Sequence, residues 1–193
     1  MVRSIYYLPG HGGRLESGLG SELRGRGFGV FGRETVGEFR SISFSEQVAI
    51  IANDLAASCW HEDSLVLANS FGAYLFLNAQ ALLKPYVGKL LLLSPIVGEF
   101  LTEDTRMGFV PPHSGRLFEL AEAGTYPSPI NCEIHVGERD WQSNPVNVLK
   151  LADLLGLNVQ LVPNQGHMLD KRYVSAVLDR WLVSFRPDDA AAG

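Results

Sequence analysis

Cysteine is nearly absent from this chain. Only Cys59 and Cys132 are present, with no C-x-x-C pair. That excludes a disulfide framework and fits a reducing cytoplasm. Long apolar runs are missing too: none reaches the roughly 18–20 residues that a bilayer-spanning helix needs. The stretch from Met1 to Leu8 is too short for the core of a secretory leader, and no small-residue cleavage site follows it. Neither sign of charge dominates. The formal net charge is −5, and Arg3, Arg14, Arg24, Arg26, Arg33 and Arg40 are interleaved with Glu16, Glu22, Glu34 and Glu38. Such a surface offers no footprint for nucleic acid or an anionic membrane. There is no H-E-x-x-H, no Walker loop and no paired-cysteine motif, so neither metal nor cofactor is implied. Gly27-Phe28-Gly29-Val30-Phe31-Gly32 spells G-x-G-x-x-G, but it neither follows a strand nor opens a helix. It is therefore no dinucleotide site, and reads as a turn into a second strand around Val30 to Val36. Cys59, His61 and Asp63 gather at the expected end of a helix, where a structural or solvated role outweighs metal binding.

What remains is an ordinary globular balance: 193 residues, 46% apolar and 19% charged, enough for one domain with a sizeable core. Apolar runs alternate with helical periodicity. Ser4 to Leu8, Ser64 to Ala68, Lys89 to Ser94, Cys132 to Gly137 and Asn158 to Pro163 read as strands. Lys89 to Ser94 is near-continuously apolar, as expected for a parallel sheet covered on both faces. Helices are expected over Gly18 to Arg26, Glu46 to Trp60 (capped by Ser43 or Ser45), Tyr74 to Leu83, Arg116 to Glu122, Asn147 to Leu155 (stopped by Gly156) and Val174 to Phe185. The order predicts an α/β fold: a three-layer α/β/α sandwich on a doubly wound, mostly parallel sheet of about six strands. The domain should run over 1–186, with a short cap or loop insertion at 96–129 and a flexible tail at 187–193.

One stretch carries the functional signal. A strand ends in Ala68-Asn69-Ser70-Phe71-Gly72 and turns at once into a helix. Residues two before and two after such a turn approach closely and must be small, and Ala68 and Gly72 are. Ser70 could instead merely cap the helix. The pattern resembles the nucleophile elbow of the α/β-hydrolase superfamily, although Ala68 stands where that family more often has glycine.

The resemblance extends from Ile5 to about Phe185. It implies a Ser, acid, His order, which this chain meets with Ser70, Asp140 and His167. Asp140 lies just past a strand end in Gly137-x-x-Asp140, and His167 lies in a Gly-His loop after the last strand. Glu138 and Asp170 are rival acids. The Gly-rich loop Pro9-Gly10-His11-Gly12-Gly13 after the first strand resembles the loop that supplies half of the oxyanion hole. Its donor would be the His11 N–H, with Gly12 as the alternative, and Phe71 N–H would be the second donor. Met107, Phe109, Trp141 and Met168 are candidate pocket residues, along with Val110 and Phe118. His135, inside a strand, reads as a satisfied core histidine.

A base must take the proton of serine during attack, and imidazole has the pKa range to do so. The implied activity is that of a serine hydrolase on a carboxylic ester or thioester, with a small-molecule acyl substrate and no cofactor. Within the superfamily the chain looks like the small serine hydrolases of the retinoblastoma-binding-protein type. The same residues can also run acyl transfer, amide cleavage or C–C bond hydrolysis, and the fold can serve a catalytically silent interaction protein.

Overall fold

The computed structural model describes residues 3–101 and 108–183. The tail expected at 187–193 lies outside the described residues, as do Phe185 and Met107. In chain order the elements are β1 (Ser4–Leu8), α1 (Leu19–Gly25), β2 (Gly29–Gly32), α2 (Gly37–Ser41), α3 (Phe44–Ser58), β3 (Leu65–Asn69), α4 (Phe71–Gln80) and β4 (Lys89–Leu93). Then follow β5 (Phe100–Leu101), β6 (Gly108–Phe109), α5 (Arg116–Glu122), β7 (Asn131–Gly137), α6 (Pro145–Leu155), β8 (Asn158–Val162) and α7 (Lys171–Val183). No helix among the described residues is long and apolar enough to cross a membrane.

Six strands form one parallel sheet in the order β2-β1-β3-β4-β7-β8. The lack of alternation in the central strands has its cause in two cores. Val66, Ala68, Leu90 and Leu92 pack on one face with residues of α3, α4, α5 and α6. Leu65, Leu67, Leu91 and Leu93 pack on the other with Leu23 of α1 and Val177, Leu178 and Trp181 of α7. The expected three-layer α/β/α arrangement is found.

The differences lie at the periphery. The second strand stops at Gly32 rather than running to Val36. A Cβ at Gly32 would lie 2.2 Å from the Tyr7 carbonyl oxygen, at φ +141°, so the chain is at its closest there and turns away. Thr35 then serves the Gly-rich loop: its hydroxyl donates to the Gly10 carbonyl and accepts from Gly13 N–H at 2.9 Å. The short helix α2 follows without any buried residue. The antiparallel pair β5–β6, with Phe100 opposite Phe109, was also not expected. Ser43, not Ser45, caps α3, in a capping box with Glu46. Gly156 closes α6 in the left-handed conformation at φ 67°.

The start of α4 is jammed against the end of β1. A Cβ at Gly72 would stand 2.2 Å from the Leu8 carbonyl oxygen and 2.4 Å from that of Pro9. Gly72→Ala should therefore cost about 3 kcal/mol in urea unfolding. Gly25→Ala, with nothing within 4 Å, should leave the midpoint unchanged or raise it. Equal midpoints for the two variants would show that β1 and α4 have slack between them.

Candidate active site

Ser70 sits between β3 and α4 at φ 52°, ψ −123°, a region that non-glycine residues rarely occupy. Its hydroxyl makes no capping bond to the helix, so the simple N-cap role is not what holds it. Its neighbours enforce the turn: Ala68 is fully buried, and Asn69 Oδ1 accepts from the Tyr7 hydroxyl at 2.8 Å. Gly10 leaves room as well, because a Cβ there would lie 3.0 Å from Ser70 Cβ.

Ser70 Oγ lies 2.8 Å from His167 Nε2. On the far side of the ring, His167 Nδ1 lies 3.0 Å and 3.1 Å from the two Asp140 carboxylate oxygens. Asp140 is fully buried. Its Oδ1 also accepts from the backbone N–H of Gln142 at 3.0 Å and Ser143 at 2.9 Å, so the carboxylate is held in place by the loop that carries it. Three side chains far apart in sequence thus meet at the carboxyl edge of the sheet. An alcohol, an imidazole and a carboxylate in line can pass a proton from oxygen to nitrogen and stabilise the resulting imidazolium.

The loops that carry Asp140 and His167 are fastened to each other. Glu138 N–H donates to the Val162 carbonyl at 2.9 Å, and Arg139 N–H to that of Gln165 at 2.8 Å. Asn164 N–H donates to Glu138 Oε2 at 2.9 Å, and the Arg139 guanidinium to Asn164 Oδ1 at 2.6 Å. A Cβ at Gly137 would meet the carbonyl oxygens of Gln165 and Gly166 at 2.4 Å, so only glycine permits this approach. Glu138 is thereby occupied away from the imidazole. Asp170 is occupied too, because Oδ1 accepts from Arg172 and Tyr173 N–H at the start of α7.

Two serines escaped the sequence reading. Ser94, just past β4 at φ 44°, donates from Oγ to the His167 carbonyl at 2.9 Å. Ser143, buried, donates to the Ser94 carbonyl at 2.6 Å and lies 3.3 Å from His167 Nδ1. Nothing in the sequence marks either one: both contacts are made through space, between the ends of separate strands.

In the loop after β1, Gly12 N–H is already given to the Thr35 carbonyl at 3.2 Å. That removes Gly12 as a free donor. Among the described residues no acceptor takes the N–H of His11 or of Phe71. The candidate pocket residues fare differently. Of Phe109 only the backbone is described. Trp141 is 38% and Met168 88% exposed, and Val110 is 59% exposed, so these face solvent rather than an enclosed wall. Phe118 packs on the core beneath Lys150, whose Nζ lies 5.1 Å from the ring centre. Other rings form a connected group with Phe71, the residue after Ser70: His11, Phe44 and Tyr74 adjoin its ring, and His113 adjoins Phe44.

His135 is buried with both ring nitrogens engaged, by the Tyr173 hydroxyl and Glu133 at 2.7 Å each. Burial holds its pKa below the ordinary value, against the pull of Glu133. Cys59 is buried, and burial pushes its thiol up to about 12, while His61 and Asp63 are exposed. Among the described residues no group of three or more His, Cys, Asp or Glu is placed to hold a metal.

No family model and no curated protein matches the chain. Solved structures do. The chain is similar to a carboxylesterase of the thaumarchaeon Nitrososphaera gargenis, with a TM-score of 0.63 at 10% identity over 95% of this chain and 91% of that one. It is similar to α/β hydrolase domain-containing protein 10 from mouse, with a TM-score of 0.64 at 12% identity over 95% and 90% of the two chains. Carboxylesterase CesB from Bacillus subtilis gives 0.62 at 14% identity, over 95% and 84%. At these identities the likeness defines the architecture: the chain has the α/β-hydrolase fold.

Proposed function

We propose that this protein is a serine hydrolase that cleaves a carboxylic ester or thioester through an acyl-enzyme intermediate. The observation that carries the reading is the in-line contact of Ser70 Oγ, His167 and buried Asp140, with the serine on a strained turn. Carboxylesterases among the structural neighbours support the same chemistry.

In this reading His167 Nε2 takes the Ser70 proton as Oγ attacks the acyl carbon. The negative charge that develops on the carbonyl oxygen is met by the N–H groups of His11 and Phe71. Each such donor is worth about 3–4 kcal/mol of barrier. His167 then returns the proton to the leaving alcohol or thiol, and the C–O or C–S bond breaks. A water molecule, deprotonated by the same imidazole, releases the acid from Ser70. Asp140 fixes the tautomer with Nδ1 protonated and stabilises the imidazolium. Ser143 and Ser94 position the ring from behind. The segment 96–129 acts as a short cap.

A fluorophosphonate probe tests the reading. The folded protein should be labelled on the peptide that contains Ser70, and on no other. Absence of an adduct on folded protein would leave an interaction protein that keeps the fold.

A further inference from the structure

A row of aromatic rings that begins at Phe71, the residue after Ser70, takes part in no step of that chemistry. The Phe71 ring meets His11 edge to face, 5.8 Å between centroids and 82° between planes. On its other side it meets Phe44 at 6.3 Å. Phe44 stacks on Tyr74 at 5.4 Å and 24°, and its ring lies 5.9 Å from that of His113. Tyr74 is fully buried and forms the floor. Phe44 and Phe71 are half-buried, and His11 and His113 are exposed. The rings come from separate places in the chain: the loop after β1, the first turns of α3 and α4, and the loop before α5. The far end is anchored, because the Tyr74 hydroxyl donates to the Pro112 carbonyl at 2.6 Å. Beyond His113 the surface opens into a cleft of about 720 Å³ bounded by Pro111, Pro112, Arg116 and Leu120.

We propose that this shelf is the acyl subsite and that it selects esters or thioesters of planar aromatic carboxylic acids. The inference rests on Ser70 being the nucleophile. The topology decides which half of the substrate lies here. β1, which leads into His11, flanks β3 on one side; β4, β7 and β8, which lead to Asp140 and His167, lie on the other. The leaving atom must stay within reach of His167 Nε2, so the leaving group occupies that side and the acyl group takes the other. His11 and Phe71 also carry the two unpartnered N–H groups. A carbonyl oxygen held by them places the next acyl atoms against the rings of those same residues. A flat ring can lie on Phe44 and meet the edges of Phe71 and His113. A puckered ring of the same size cannot approach them as closely, and it lacks the quadrupole that favours stacked and edge-on contacts.

The test compares two N-acetylcysteamine thioesters of near-equal size, benzoyl and cyclohexanecarbonyl, each normalised to its hydroxide-catalysed rate. The wild-type kcat/KM should favour benzoyl about tenfold. Phe44→Leu should bring the ratio below about threefold, with folding checked by thermal unfolding. His113→Asn, chosen because asparagine tolerates the φ of 58° at that position, should lower the ratio about twofold. It carries the comparison alone if Phe44→Leu does not fold. A ratio near one in wild-type protein that labels at Ser70, or a ratio unchanged in the variants, overturns the aromatic subsite and leaves the hydrolase reading standing. Absence of labelling at Ser70 removes both.

Discussion

Ser70→Ala is expected to lower kcat on a short p-nitrophenyl ester by about 10⁴-fold or more, with KM changed by no more than a few fold. The substitution removes the atom that the proposed mechanism makes the nucleophile. The N–H groups of His11 and Phe71 remain, so some catalysis above water should survive. The fold should survive as well, because Ser70 makes no capping bond to α4 and its hydroxyl contacts His167 at a half-exposed edge. A companion variant separates chemistry from strain. Ser70→Gly should be as inactive as Ser70→Ala but about 1 kcal/mol more stable than it, since glycine occupies φ 52° without penalty. Steady-state kinetics and urea unfolding read the two effects separately. Full activity in Ser70→Ala would remove Ser70 from its proposed role.

Asp140→Asn should cost about 10³–10⁴-fold in kcat for a different reason. The amide oxygen can still accept from Gln142 and Ser143 N–H, as Asp140 Oδ1 does at 3.0 and 2.9 Å. That choice turns the amide NH₂ toward His167 Nδ1. The imidazole must then accept at Nδ1 and carry its proton on Nε2, facing Ser70 Oγ. A ring nitrogen that already bears a proton has no free lone pair in the ring plane, so Nε2 cannot accept the proton of the serine, and the anion that would stabilise an imidazolium is gone. Fluorophosphonate labelling should slow in parallel with turnover. Activity within tenfold of wild type would shift the role of the acid to another residue.

The central strands were legible because they are apolar on both faces, a pattern that only a doubly covered parallel sheet produces. Ser70, Asp140 and His167 could be placed together for a related reason: each falls in the connection after an expected strand of one parallel sheet, so strand direction brings all three to one edge. The short elements were not. α2 buries nothing, so it leaves no periodic trace, and β2, an edge strand that is only half-buried, was expected but not where it ends. The hairpin β5–β6 has two residues a side, below the length at which alternation exists. Phe44 carried no signal in the sequence, which placed the helix start at Glu46, and its place near Phe71 depends on how α3 and α4 pack. Ser94 and Ser143 meet only because β4 and β7 are neighbours. Neighbourhoods that follow from strand order were readable, and those that depend on packing across the gap between elements were not.

The mutual fastening of the β7 and β8 loops has a mechanical consequence. Arg139, Glu138 and Asn164 tie the loop of Asp140 to the loop of His167 through two side-chain bonds and the backbone bonds beside them. Carboxylate and imidazole therefore ride as one body, whereas the alcohol is seated on β3 and α4. The link between the two bodies runs through the end of β4, where Ser94 donates to the His167 carbonyl and Ser70 N–H donates to the Leu93 carbonyl. The His167 ring therefore keeps its orientation toward Asp140 through contacts on its own loop as well as those across to β7.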